Sequence, residues 1–155
     1  MKGDKKVIDF LNRYLATELT GHHQYLEHAR VLKNWGVSGL AEREDQYAEE
    51  ERTHAARIAD RILFLEGAPD FRTIRRLAIG ADVRKILDCD LGLVSQAQTV
   101  LREGVAHCES VADYVSRDLL REMLDDEEQH AYWLEIQLAL IVRIGLKNYI
   151  QSRSG

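Results

Sequence analysis

The chain has 155 residues, of which 45% are hydrophobic and 30% charged, and its formal net charge is −5. This length can bury a core without disulfides, and a single proline with 7% aromatic residues favours helices over strands. The acidic balance argues against a nucleic acid partner, and no run of about 18 apolar residues is present to cross a membrane. Cys89 and Cys108 follow no recognisable signal peptide, so we expect reduced thiols in a cytoplasmic protein.

Apolar residues recur with a helical period in four long segments, which predicts one all-helical domain over residues 1–155. In chain order, the predicted parts are a helical hairpin at about 4–66, a crossover at 67–81, a second hairpin at 82–144 and a C-terminal tail at 145–155. The predicted N-caps are Ser38 for the second helix, Asp82 for the third, and Ser116 with Asp118 for the fourth. The tail has room for one or two further helical turns.

The lengths of the connections predict how the helices are arranged. Short turns within each hairpin make its two helices antiparallel neighbours. The longer stretch around Pro69 must then return the chain along the bundle. The predicted fold is therefore an all-α four-helix bundle with one long crossover and a short C-terminal fifth helix, which is the ferritin-like arrangement.

Two Glu-x-x-His motifs occur, at Glu51–His54 on the second predicted helix and at Glu127–His130 on the fourth. Residues three apart share one face of a helix. One such motif arises easily by chance, but both residues of the second lie 76 positions after those of the first, which indicates a pseudo-repeat. Di-iron carboxylate sites take this motif from two helices and one glutamate from each of the other two. Carboxylates and imidazoles also suit manganese and zinc.

The pseudo-repeat predicts where the two remaining carboxylates should lie. Glu18 follows apolar residues of the first helix and is expected to point to the core, but the residue 76 positions later is Val94. Asp90, the nearest acid, lies a full turn away. The candidate catalytic and metal-ligating residues are Glu18, Glu51, His54, Glu127 and His130, with Glu51 and Glu127 as bridges. The alternative, that these are solvated surface charges, is disfavoured because the spacing recurs.

Segments along the whole chain resemble bacterioferritins. They are M-K-G-D-K-K-V-I-D-F-L-N at the start, N-W-G at 34–36, R-I-L-F-L-E-G at 61–67, D-Y-V-S-R-D at 113–118 and D-E-E-Q-H at 126–130. The resemblance implies a subunit of a hollow 24-subunit cage that takes up ferrous iron, oxidises it at a dinuclear site in each bundle and stores ferric mineral. It implies the same five ligands, and its sixth ligand falls on Val94.

Two departures from the resemblance change what we expect of this chain. One iron would keep Glu18 and His54 plus the bridges, whereas the other would keep only His130 plus the bridges, so we expect weak occupancy and impaired ferroxidase activity. The methionine that ligates haem in bacterioferritins falls on Arg52, whose guanidinium has no free lone pair for iron. We therefore expect no haem in a homomeric cage, although a mixed shell would take haem on a second kind of subunit.

Further side chains and functions remain open from the sequence. His22 is either a substitute ligand or polar lining, Tyr25 is either a redox neighbour of the metals or a core residue, and Glu50 either guides iron or lies on a solvated acidic face. The leading function is an iron-storage subunit with a weakened ferroxidase centre that uses O2 or peroxide. The alternatives are a non-catalytic structural subunit of a mixed shell and a small di-iron oxidase or peroxide scavenger of the rubrerythrin kind. The last is disfavoured because no C-x-x-C pair is present.

Overall fold

The computed structural model describes all residues 1–155 and is entirely helical. Its helices are α1 (Lys5–Asn34), α2 (Ser38–Phe64), α3 (Val83–Ser110), α4 (Tyr114–Ile144) and α5 (Leu146–Ser152). The predicted all-α bundle with one long crossover, here the residues between α2 and α3, and a short C-terminal helix is confirmed. None of the helices combines the length and the apolar character that crossing a bilayer requires.

Aspartate side chains cap three of the long helices. Each accepts a hydrogen bond from the backbone N–H three residues further on, in the pairs Asp4–Val7, Asp82–Lys85 and Asp113–Ser116. The prediction that Asp82 is the N-cap of α3 is confirmed. The prediction of Ser38, and of Ser116 with Asp118, as N-caps was wrong, because these residues lie inside their helices. Asp113 is the better acceptor for α4, and α2 begins after Val37 without a side-chain cap.

Two apolar clusters fill the two ends of the bundle. The first contains Leu11, Ile58 and Leu101, and the second contains Ile86 and Leu134. Along each of the four long helices, residues of one cluster precede the middle turns and residues of the other follow them. Truncating one such leucine or isoleucine to alanine typically costs about 2–5 kcal/mol of unfolding free energy. This packing fixes the middle turns, where the buried charged residues lie.

The crossover runs along α1 and is held there by side chains of that helix. Thr20, Gln24 and His28 are spaced one turn apart and accept hydrogen bonds from crossover backbone N–H groups. The pairs are Thr20 Oγ1 with the amide of Arg75 at 2.9 Å, Gln24 Oε1 with that of Ala78 at 3.0 Å, and His28 Nε2 with that of Gly80 at 3.1 Å. A Cβ at Gly80 would lie 2.2 Å from the backbone nitrogen of Ile86, so only glycine allows this close approach.

Candidate metal centre

Four of the five predicted ligands meet in the middle of the bundle. Glu18 of α1, Glu51 and His54 of α2 and Glu127 of α4 each offer a ligand atom, and these atoms lie within 4.8 Å of one another. All four side chains are buried. The i, i+3 spacing explains why Glu51 and His54 point the same way, and the packing of α1 against α2 brings Glu18 to them.

The imidazole of His54 is fixed from both sides. Its Nδ1 lies 3.0 Å from Glu18 Oε2, inside the group of four, and its Nε2 lies 2.9 Å from Asp126 Oδ2. A carboxylate on the far nitrogen of a ligating histidine fixes the ring orientation and raises its basicity. Asp126 is therefore a positioning residue for His54. The sequence did not predict this role of Asp126, because spacing along the chain does not reveal which residues of α2 and α4 are in contact.

The three glutamates of the group repel one another in a poorly solvated place. Burial is the main cause that raises the pKa of Glu18, Glu51 and Glu127 well above the usual range. The charge of a neighbouring glutamate raises the pKa of each further, whereas one hydrogen bond between the carboxyl groups lowers it in each case. Tyr14 Oη lies 3.5 Å from Glu127 Oε1, which is a long and weak contact. Three adjacent buried carboxyl groups with one imidazole form a donor set that favours a multiply charged cation.

His130 lies outside this group of four. Its ring is stacked on Tyr47, with centroids 3.5 Å apart and planes at 12°, and it meets the edge of Tyr25 at 5.2 Å. Neither ring nitrogen has a hydrogen-bond partner, although the side chain is only 3% exposed. Burial lowers the pKa of His130 to about 3, so the ring is neutral at physiological pH and keeps a lone pair for a metal.

Helix α3 contributes no ligand to the group. Val94, the residue that the pseudo-repeat pairs with Glu18, is fully buried in the second apolar cluster. Asp90 is also buried, but its Oδ1 accepts hydrogen bonds from Gln24 Nε2 and His28 Nδ1, both at 2.9 Å. One oxygen of the acid nearest to Val94 is therefore committed to other partners.

The remaining candidates lie around the group. His22 donates through Nδ1 to the carbonyl oxygen of Ala48 at 2.7 Å and does not join the four ligands. Glu50 is partly exposed, with Oε1 4.0 Å from His54 Nε2. Arg52 is 62% exposed and pairs with Glu49 at 2.6 Å. Of these residues, only Glu50 adds a carboxylate next to the predicted ligands.

An open groove leads from solvent to this part of the bundle. The groove is lined by Arg43, Tyr47, His130 and Trp133, together with the acidic residues Glu50 and Asp126. Two carboxylates beside a buried donor set attract cations toward it. The sequence did not predict this groove, because its residues come from separate turns of α2 and α4.

Comparison with known proteins agrees with this geometry. Residues 8–144 match the family model described as a ferritin-like domain. The chain is 46% identical to a bacterial ferritin of Pseudomonas aeruginosa and 43% identical to one of Synechocystis, each over 99% of both chains. It is 41% identical to a bacterioferritin of Brucella melitensis, over 97% of this chain and 94% of that relative. The chain therefore belongs to the ferritin family and is similar over nearly its full length to bacterial ferritins and bacterioferritins.

Proposed function

We propose that this chain is an iron-storage subunit that binds ferrous iron in its bundle and oxidises it slowly at a weakened dinuclear centre. The observation that carries the proposal is the buried group of Glu18, Glu51, His54 and Glu127. Oxygen and imidazole donors suit Fe2+, and two ferrous ions supply the two electrons that reduce O2 to hydrogen peroxide or peroxide to water. Each iron leaves the centre as Fe3+ for storage.

The two iron positions are unequal in this proposal. The first takes Glu18 and His54 together with the bridging Glu51 and Glu127, all of which lie within reach of one ion. The second takes His130 and the same two bridges, because Val94 has no donor atom. The stack on Tyr47 covers one face of the His130 ring, and the ring nitrogens, which bind a metal in the plane of the ring, have no other partner. Occupancy of the second position therefore limits the oxidation rate.

We further propose that the subunit works in a 24-subunit cage in the cytoplasm. Large apolar side chains, among them Phe64, Phe71, Tyr132 and Val142, are exposed on the single subunit. Exposed apolar residues in this number fit a chain that buries them against copies of itself. Arg52 is exposed but offers no lone pair, so a cage of this chain alone is expected to lack haem.

A second candidate function is a non-catalytic subunit of a mixed shell. Val94 favours it, because a chain with an incomplete dinuclear site can rely on a partner subunit for oxidation. Purification from the native cell separates the two functions. A second, haem-binding chain in the same shell supports the mixed cage, and a single chain without a Soret band supports the homomeric cage.

The proposed oxidation is tested by anaerobic titration with ferrous iron, followed by exposure to O2. We expect the wild-type cage to take up iron and to show a slow initial oxidation, the Glu51→Gln variant to lose it, and Val94→Glu to accelerate it. Val94→Gln is the matched control, because glutamine has nearly the same volume as glutamate but carries no charge. A protein that runs as a monomer or dimer and takes up no iron would overturn the proposal.

A further inference from the structure

A second group of buried ionisable side chains lies near the first. It consists of His28 on α1, Glu44 on α2 and Asp90 on α3, and their potential ligand atoms lie within 4.8 Å of one another. None of the three is more than 1% exposed. Asp90 precedes Val94 by one helical turn, which is about 6 Å along the axis of α3. The group shares no residue with the candidate ligands of the oxidation centre.

One oxygen of Asp90 is fully used. Gln24 Nε2 and His28 Nδ1 both donate to Oδ1, at 2.9 Å each. His28 Nε2 accepts from the backbone N–H of Gly80, which assigns the ring proton to Nδ1. These bonds orient the Asp90 carboxylate so that His28 acts as a hydrogen-bond donor to it and keeps its other nitrogen for the crossover.

The other oxygen of Asp90 faces an unsatisfied carboxyl group. Neither Asp90 Oδ2 nor Glu44 Oε2 has a hydrogen-bond donor, although both are buried. Neither side chain has a lysine or arginine within ion-pair distance. Burial and the charge of Asp90 raise the pKa of Glu44 well above its usual range. In the absence of a cation, the two carboxyl groups can stay together only by sharing one proton.

When Glu44 and Asp90 share one proton, only one of their two negative charges is neutralised. The pair then carries one negative charge in a place where an unpaired charge is costly. A divalent cation that replaces the shared proton neutralises both carboxylates and binds Asp90 Oδ2 and Glu44 Oε2, which no other donor reaches. The exchange balances: one M2+ enters, Glu44 loses its proton, and one H+ leaves.

We propose that Glu44 and Asp90, with Asp90 oriented by His28 and Gln24, form a second cation site that takes a divalent, oxygen-preferring ion such as Mn2+ or Fe2+. Carboxylate oxygens are the ligands that such ions favour. The site stands without the proposed oxidation, because it shares no ligand with the group of Glu18, Glu51, His54 and Glu127. A subunit whose second iron position lost its α3 carboxylate would still bind a second ion one turn along the same helix.

The test counts bound Mn2+ per subunit in the intact protein by equilibrium dialysis and metal analysis, together with a pH indicator. The informative background is Glu18→Gln/Glu51→Gln, which disables the first group. In that background we expect one tightly bound Mn2+ per subunit and about one proton released per ion. Adding Glu44→Gln, which mimics the protonated state of Glu44, should abolish both signals.

Glu42→Gln is the matched control, because Glu42 is exposed on the same turn of α2 and pairs with no residue. It should leave the Mn2+ count unchanged. Anomalous diffraction from wild-type crystals soaked in Mn2+ gives a readout that needs no variant, with a peak expected between Glu44 and Asp90. The proposal is overturned if the disabled background binds no Mn2+ while folded, if Glu44→Gln keeps the same count, or if that peak is missing. If Glu51→Gln alone removes the bound Mn2+, and Glu44→Gln does not, the ion was bound by the group of Glu18, Glu51, His54 and Glu127, and the proposal is likewise overturned.

Discussion

The imidazole of His130 lies flat against the phenol ring of Tyr47, with centroids 3.5 Å apart and planes 12° apart. Arg43 holds Tyr47 from outside, because its guanidinium lies 4.7 Å from the ring centroid and donates to Tyr47 Oη at 3.1 Å. An aromatic pair of this kind is worth about 0.5–1.5 kcal/mol beyond its buried area. The stack therefore orients His130 and leaves its ring nitrogens free in the plane of the ring.

Removing the stack should leave His130 less well oriented for the metals. We expect Tyr47→Leu to weaken binding of the second ferrous ion by up to about tenfold, the equivalent of about 1.4 kcal/mol. Tyr47→Phe keeps the ring and loses only the hydrogen bond from Arg43, so it should behave like the wild type. Anaerobic ferrous titration measures both variants. Equal affinities in the two variants, or an unchanged effect of Tyr47→Leu in a His130→Ala background, would contradict this role of Tyr47.

Val94→Glu should change stability in opposite directions with and without metal. In metal-free protein the new carboxyl group enters an apolar cluster without a donor, which costs about 1–3 kcal/mol of unfolding free energy. Bound Fe2+ or Mn2+ should recover this loss, so that added metal raises the melting temperature of Val94→Glu more than that of the wild type. Thermal unfolding with chelator and with metal measures the difference. Val94→Gln should be destabilised without recovery, and a recovery of equal size in both variants would argue against a ligand at position 94.

Metal-free protein should lose stability as the pH rises above about 6.5. Burial raises the pKa of Glu18, Glu51 and Glu127 well above the unfolded value of 4.5, so the folded state binds more protons and raising the pH through the folded pKa removes stability. His130 acts in the opposite direction, because its folded pKa of about 3 lies below the ordinary histidine value of 6.5. Its contribution to stability is lost only as the pH falls below 6.5. Above that pH the glutamates dominate, at up to about 1.4 kcal/mol per pH unit for each titrating group.

Denaturant unfolding in chelator at pH 6.5, 7.5 and 8.5 gives the free energy of unfolding at each pH and hence its slope with pH. Glu51→Gln removes one of the titrating groups and reduces repulsion on the others, so its stability should fall less steeply with pH. Saturating Mn2+ should flatten the slope of the wild type, because the ion binds the ionised carboxylates. A wild-type slope that matches that of Glu51→Gln would show that these carboxyl groups do not control the pH dependence.

The sequence predicted the parts of this molecule that follow from spacing along one helix. Apolar periodicity identified the bundle, and the i, i+3 motif with its 76-residue offset identified Glu51, His54 and Glu127 as neighbours of Glu18. It also predicts that a carboxylate is missing at Val94, which lies buried in the second apolar cluster. Such inferences are possible because a helix fixes which residues share a face.

Contacts between helices could not be predicted in the same way. Asp126 reaches His54 across the bundle, and Glu44 meets Asp90 between two different helices. Both depend on the rotation and offset of one helix against another, which the packing of large side chains determines. The stack of His130 on Tyr47 has the same origin, since the sequence shows His130 on the correct face but not which ring it meets.

The crossover should depend on Gln24 more than on any single apolar contact of that segment. Gln24 accepts from the backbone N–H of Ala78 through Oε1 and donates to Asp90 through Nε2, so one side chain joins α1, the crossover and α3. Gln24→Ala leaves the part-buried N–H of Ala78 and the buried carboxylate of Asp90 each short of a partner, at up to about 1–3 kcal/mol apiece. We expect a loss of about 2–5 kcal/mol in unfolding free energy, measured by denaturant titration. Gln96→Ala, at an exposed position of α3, should change the unfolding free energy by less than about 0.5 kcal/mol. Similar losses in both variants would mean that the crossover is held by its other contacts.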